Sequence, residues 1–239
     1  MNSVAGGGSF LSFPSLVLAG VPPIPANATN NAAMWVGTLG GARGYWVDVA
    51  PHKRMLRSVL AASIAGSLIG ACLLLLTPAP AFDKLVPWLL LFATIVFAIS
   101  PRLHVIPSVA KSSPGTDGPA HHAWQIAVQF GVAIYGGYFG AGMGILMLAV
   151  LGFSRLPSFN ATNGMKNVLS VAINGVALIP FLIARIIDWR FALPMAVAAW
   201  LGGYLGAKFF RTIPGSAARA IVIVIGVTMT AAFFIRAFR

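Results

Sequence analysis

One lysine stands apart from every other charge in this sequence. Lys166 lies about two turns into an apolar run that opens near Asn160. A charge inside a run of membrane length is costly and by default marks function. A buried ammonium group can meet an anion directly; the competing reading is a side chain that snorkels to the interface. Just ahead of it stands the tetrad Asn160-Ala161-Thr162-Asn163, and an identical tetrad, Asn27-Ala28-Thr29-Asn30, occurs 133 residues earlier. Asn and Thr cap helix N-termini, where free N–H groups and the helix dipole attract anions. Asn27, Thr29, Asn30, Asn160, Thr162 and Asn163 therefore present neutral donors at two expected helix starts, with simple capping as the alternative. Asn167 and Asn174 add polar positions on the Lys166 helix, either lining a path or bonding across helices.

Glycine clusters precede both tetrads. Gly6, Gly7 and Gly8 stand before Pro22-Pro23 and the first tetrad; Gly140, Gly142 and Gly144 stand before Leu156-Pro157 and the second. Such clusters weaken a helix. In hydrocarbon, a broken helix survives only where protein or a water-lined cavity satisfies its backbone. Transporters place substrate at such breaks, in matching positions of two repeats. Tyr135 and Tyr138 flank the second break, and the Tyr135 phenol is a further donor for an oxyanion. The pairs Gly66/Gly70 and Gly202/Gly206 read instead as close helix packing.

Other chemistries find little support. The acids are Asp48, Asp83, Asp117 and Asp188, with no Glu, so paired-carboxylate catalysis and carboxylate proton relays lack their residues. His52, His104, His121 and His122 have no Cys, Asp or Glu partner at metal-ligand spacing, and Cys72 is the single cysteine. No metal site, cofactor or enzymatic activity is expected. Phosphate-loop and G-x-S-x-G motifs are absent from the sequence. Nucleic-acid binding is not expected, because the bases sit between apolar runs and not along one solvated face.

The elements that must position Lys166 follow from composition. Of 239 residues 58% are hydrophobic and 8% charged, with 16 Lys and Arg giving a net +12. A soluble domain is about 25% charged, so a chain embedded in a bilayer is expected. Apolar runs at 26–47, 58–76, 85–100, 123–149, 167–184, 191–207 and 220–235 give seven crossings, preceded by an opening segment at 1–19. The polar stretch 111–122 divides the chain into a membrane repeat over 1–110, a linker over 111–122 and a second repeat over 123–239.

These motifs resemble the TauE/SafE family of sulfite and organosulfur-anion exporters. The resemblance rests on Ser3–Ser9, Pro14, Pro22-Pro23 and Ala26–Asn30 in the first half. In the second it rests on Tyr135–Gly144, Asn160–Asn163, Lys166-Asn167, Ile187–Trp189, Gly202-Gly203 and Gly206-Ala207. It implies an all-α integral membrane protein of two repeated four-helix halves with glycine-broken first helices. Only five residues precede Gly6, so the first helix is expected to be truncated at Met1. With eight crossings, ten Lys and Arg fall on one face and five on the other. Both ends are then expected in the cytoplasm of an inner-membrane protein, with the halves parallel in topology.

The resulting expectation is a permease that exports a small anion such as sulfite or an organosulfonate. Gly6, Gly7, Gly8, Asn27, Thr29, Asn30, Tyr135, Gly140, Gly142, Gly144, Asn160, Thr162, Asn163, Lys166 and Asn167 are its expected site. Self-association is left open. The alternative is a membrane protein without transport activity, structural or a truncated inactive paralogue.

Overall fold

Prolines and glycines set the helix boundaries. The computed structural model describes residues 8–109, 119–152, 154, 156–209 and 215–237, and the elements among them are helical. Gly8 precedes α1 (Ser9–Leu18). Pro22 and Pro23 open α2 (Pro23–Gly44), where the missing proline N–H costs no helix bond. A short α3 (Trp46–Val49) and a 3-10 turn lead into α4 (Lys53–Leu76), and Thr77-Pro78 turns the chain into α5 (Ala79–Val109). Then come α6 (Pro119–Tyr138), α7 (Met143–Gly152), α8 (Phe159–Ile183), α9 (Trp189–Phe209) and α10 (Gly215–Ala237).

The run expected at 123–149 is thus two helices. Gly140 and Gly142 have φ of 77° and 76°, left-handed values that a side chain resists. They turn the chain between α6 and α7. Neither tetrad supplies the N-cap of its helix, so the capping alternative does not hold. The first begins at the fifth residue of α2, whose N-cap, Pro22, has no side-chain cap bond. At α8 the cap is Ser158, whose hydroxyl accepts from the Ala161 N–H at 3.1 Å.

Among the described residues, three helical stretches are both long and apolar enough to cross a bilayer: Met55–Leu76, Ala79–Ile99 and Asn160–Ile183. At 22 residues, α2 is about 33 Å long, yet it is too polar to join them. Asn27, Thr29, Asn30, Asn31 and Thr38 are all buried on its inner side. Both α1 and α7 have 10 residues, about half a bilayer at 1.5 Å per residue. Leu68, Phe92, Ile95, Leu193, Val197 and Val227 are exposed outside the bundle, as lipid-facing residues are.

Cross-helix contacts fix the directions. Asn31 Nδ2 donates to Asn174 Oδ1 at 3.3 Å, Trp35 Nε1 donates to the Val171 carbonyl at 3.1 Å, and Gly41 lies against Asn167. As numbering rises on α2 it falls on α8, so the two tetrad helices run antiparallel. The parallel arrangement expected of the halves does not hold for this pair. By the same logic, the Gln129 to Ser63 bond and the approach of Tyr138 to Gly70 make α4 and α6 parallel. Thr29 with Asp188 and Gly37 with Ala199 make α2 and α9 parallel. Thr94 with Gly226 and Trp88 with Phe234 make α5 and α10 antiparallel.

The bundle therefore has a Pro22 end and an Arg43 end. Helices α2, α5 and α9 run from the first to the second; α4, α6, α8 and α10 run back. Backbones come closest where α4 meets α6. A Cβ on Gly66 would lie 2.6 Å from the Phe130 carbonyl oxygen, and one on Gly70 would strike the Ile134 carbonyl. Small-residue packing at Gly66/Gly70 is as expected. Gly202 and Gly206 fall where only the α9 backbone is described.

Candidate functional site

Beside the α6–α7 break, α2 and α8 leave a cavity of about 30 Å³ between them. Four helices and the break line it. Ser9 comes from α1; Asn30, Asn31, Met34 and Thr38 from α2; Phe139 and Gly140 from the break; Met143 and Gly144 from α7; Lys166, Ser170 and Asn174 from α8. The spacings explain the convergence. Positions 30, 31, 34 and 38 share one face of a helix, as do 166, 170 and 174. Because α2 and α8 are antiparallel, the two faces meet over several turns.

Lys166 is 1% exposed and stands about 10 Å along α8 from its start. Snorkelling to the interface is therefore not its arrangement. Asn30, Asn31, Thr38, Ser170 and Asn174 are also buried, so amides and hydroxyls surround the cation. Among the described residues, no carboxylate lines the cavity. A buried ammonium group in such company suits an anion, since acceptor oxygens can take both the charge and the neighbouring N–H and O–H donors.

The first tetrad divides its labour. Asn27 Nδ2 donates to the Tyr138 carbonyl at 2.8 Å, satisfying the last turn of α6 where the chain breaks. Thr29 Oγ1 accepts from the Asp188 N–H at 2.9 Å and so ties down the start of α9. Asn30 alone of the four reaches the cavity, and its Oδ1 accepts from the Ser12 hydroxyl. In the second tetrad Asn160 is exposed and Thr162 Oγ1 donates back to the Ser158 carbonyl at 3.2 Å. Asn163 is buried one turn before Lys166.

Several expected site residues lie outside the lining. Gly6 and Gly7 fall outside the described residues, and Gly8 lies beside Ser9 without reaching the cavity. The Tyr135 hydroxyl donates to the Ala141 carbonyl, and its ring packs against Phe92 and Phe139. It braces the break and does not face the cavity. Gly142 faces Ala93 and Phe10, and Asn167 faces Gly41. Asn30, Gly140, Gly144 and Lys166 do line the cavity, together with Ser9, Asn31, Met34, Thr38, Phe139, Met143, Ser170 and Asn174. The sequence signal for the polar newcomers was a stripe at i, i+1, i+4 and i+8 from Asn30 on α2, continued at i+4 steps on α8.

Long apolar helices around a buried polar cavity are the build of a membrane transport protein. The chain belongs to the family described as "Sulfite exporter TauE/SafE", whose pattern it matches over residues 1–233. Similar proteins carry the same general description. A "Probable membrane transporter protein" of Haemophilus influenzae is 27% identical over 97% of this chain and 88% of its own length. "Probable membrane transporter protein ORF9" of Sinorhizobium sp is 24% identical over 96% of this chain and 85% of its own. "Probable membrane transporter protein YfcA" of Escherichia coli K12 is 24% identical over 97% of this chain and 83% of its own. No solved structure matches the chain.

Proposed function

We propose that this protein exports a small oxyanion, sulfite or a short organosulfonate, across the inner membrane by way of the Lys166 cavity. The observation that carries the reading is the burial of Lys166 among neutral donors, with no carboxylate among the described residues of the lining. A site so composed repels cations and offers an anion a charge with several hydrogen bonds. A cavity of about 30 Å³ holds roughly two water-sized groups, which favours a compact oxyanion over a long sulfonate in this conformation. The family's description supports sulfite in particular. With the interior negative, the membrane potential itself favours anion efflux.

Two inverted halves fit this reading better than two parallel ones. The first is α1 to α5 and the second α7 to α10, with α6 between them. Each begins with a ten-residue helix, then a proline turn, then a tetrad helix, and the tetrad helices run in opposite directions. Transporters built from inverted repeats place their site at the interface of the repeats, as the α2–α8 cavity is placed.

The bases orient the bundle. Of the described residues, Arg43, Lys53, Arg54, Arg57, Arg102, Lys208 and Arg219 lie toward the Arg43 end, and Lys84, Arg185, Arg190 and Arg236 toward the Pro22 end. This excess favours the Arg43 end as the cytoplasmic one. The end of α10 then faces away from the cytoplasm, a departure from the expectation that both ends are cytoplasmic.

The test is reconstitution. Liposomes holding the purified protein are screened on a solid-supported membrane against sulfite, thiosulfate and sulfonates. Substrate-dependent anion current is expected, largest for the compact oxyanions. No current with any of them sinks the proposal.

A further inference from the structure

We infer that the Lys166 cavity selects a monoanion that brings a hydrogen of its own to donate, hydrogensulfite in preference to the sulfite dianion, and that Asn31 Oδ1 is the acceptor that reads this hydrogen. This deepens the anion-carrier reading above and rests on it. Among the described residues, the lining carries a single charge, that of Lys166. One buried positive charge balances one negative charge. A second negative charge would stay uncompensated, which is costly away from water. A space of about 30 Å³ leaves no room beside the ion for a counter-ion with its water.

An orphan acceptor in the cavity wall points the same way. Asn30, Asn31 and Asn174 are the asparagines of the lining. Asn30 Oδ1 accepts from the Ser12 hydroxyl, and Asn174 Oδ1 accepts from Asn31 Nδ2 at 3.3 Å. Asn31 Oδ1 is buried without a hydrogen-bond partner, on a residue 8% exposed. The amide is planar, so the bond that ties Nδ2 to α8 also holds Oδ1 in place. An apolar residue would fill this position without an unsatisfied acceptor, so the oxygen suits a donor that arrives with the substrate. An ion with acceptor oxygens alone cannot satisfy it and sets oxygen against oxygen. A protonated oxyanion gives its hydrogen to Asn31 and its negative oxygens to Lys166 and the neighbouring donors. A site built to bind a substrate's own donor rejects the isostere that lacks it, because the acceptor is then left unpaired.

The test compares two isosteres, sulfamate and methanesulfonate. Both are monoanions near neutral pH, and the amino group of the first donates where the methyl group of the second cannot. Each displaces radiolabelled sulfite from the purified full-length protein at one fixed pH, with sulfate as a dianion alongside. Sulfamate is expected to bind about tenfold more tightly than methanesulfonate, the scale of one relieved buried acceptor, and sulfate more weakly than either. Asn31→Leu removes the acceptor at similar volume, with elution profile and melting temperature as checks on folding. Its preference for sulfamate is expected to fall to near unity while methanesulfonate binds at the wild-type level. If it does not fold, Asn31→Ala takes its place with the same expectation, and the wild-type comparison stands without either. Equal binding of the two isosteres to wild type, or sulfate competing as well as sulfamate, overturns the inference and leaves the anion-carrier reading standing. A preference that survives in the folded variant also overturns it, since another group then reads the hydrogen. Wild-type protein that binds neither sulfite nor either isostere overturns the anion-carrier reading itself, and this inference with it.

Discussion

The two Asn-Ala-Thr-Asn tetrads share every letter and almost nothing of their surroundings. The first lies inside α2, with Asn27, Thr29 and Asn30 all buried; all three side chains bond to other segments of the chain, and Asn30 also reaches the cavity. The second lies in the first turns of α8, where Asn160 is exposed, Thr162 bonds to its own turn and, of its polar residues, Asn163 alone is deeply buried. The difference arises at the preceding turn. Pro22-Pro23 start α2 four residues ahead of its tetrad, whereas Ser158 starts α8 just ahead of the other. Antiparallel packing then sends the tetrads to opposite ends of the pair. Identical words therefore became a stitched wall at one end and a helix opening at the other, with the cavity between them.

That comparison can be broken by substitution. The largest effect is expected at Asn30, the tetrad residue on the cavity. Asn30→Ala removes a cavity amide and the acceptor for Ser12, and flux in proteoliposomes should fall tenfold or more, on the scale of one hydrogen bond to a charged group. Next is Asn27→Ala, which leaves the Tyr138 carbonyl unsatisfied at the α6–α7 break. Its thermal melting should show a loss of about 1–3 kcal/mol, with flux reduced in step as the break loosens. Ser158→Ala should cost about 1 kcal/mol through the lost cap of α8, read by the same melt, with flux per folded protein unchanged. Smallest is Asn160→Ala, on the exposed start of α8, expected within about 0.5 kcal/mol of wild type and carrying normal flux. Equal losses at Asn27 and Asn160 would mean that the tetrads work as equivalents after all.

Much of this was legible in the residues, because local chemistry governs it. Prolines announce where α2 and α4 turn, the glycine cluster announces the end of α6 at Tyr138, and Lys166 advertises itself as a charge in an apolar run. The TauE/SafE resemblance rested on those same residues. Helix direction was not legible. Counting apolar runs treats 123–149 as one crossing; the glycine cluster marks a break there, but nothing local says that the chain turns back at it. That single miscount reverses α8 relative to α2.

The site was half legible for a related reason. Duplication drew the eye to the tetrads, but the cavity selects by helix face. Asn31 falls one residue beyond the first tetrad, and Thr38, Ser170 and Asn174 lie one or two turns further along the same faces. Small polar residues in membrane helices look alike whether they bridge helices or line a space. Their role becomes visible only once the register of α2 against α8 is known. Tyr135 shows the converse: a promising donor beside the break is occupied by the Ala141 carbonyl.

The central claim is that the Lys166 ammonium group anchors the transported anion. It is tested most directly by radiolabelled sulfite flux into proteoliposomes holding either wild-type protein or Lys166→Met, a substitution of similar length without the charge. The account predicts saturable flux for wild type and background flux for a variant that elutes and melts as a folded protein. Wild-type flux through folded Lys166→Met would contradict it.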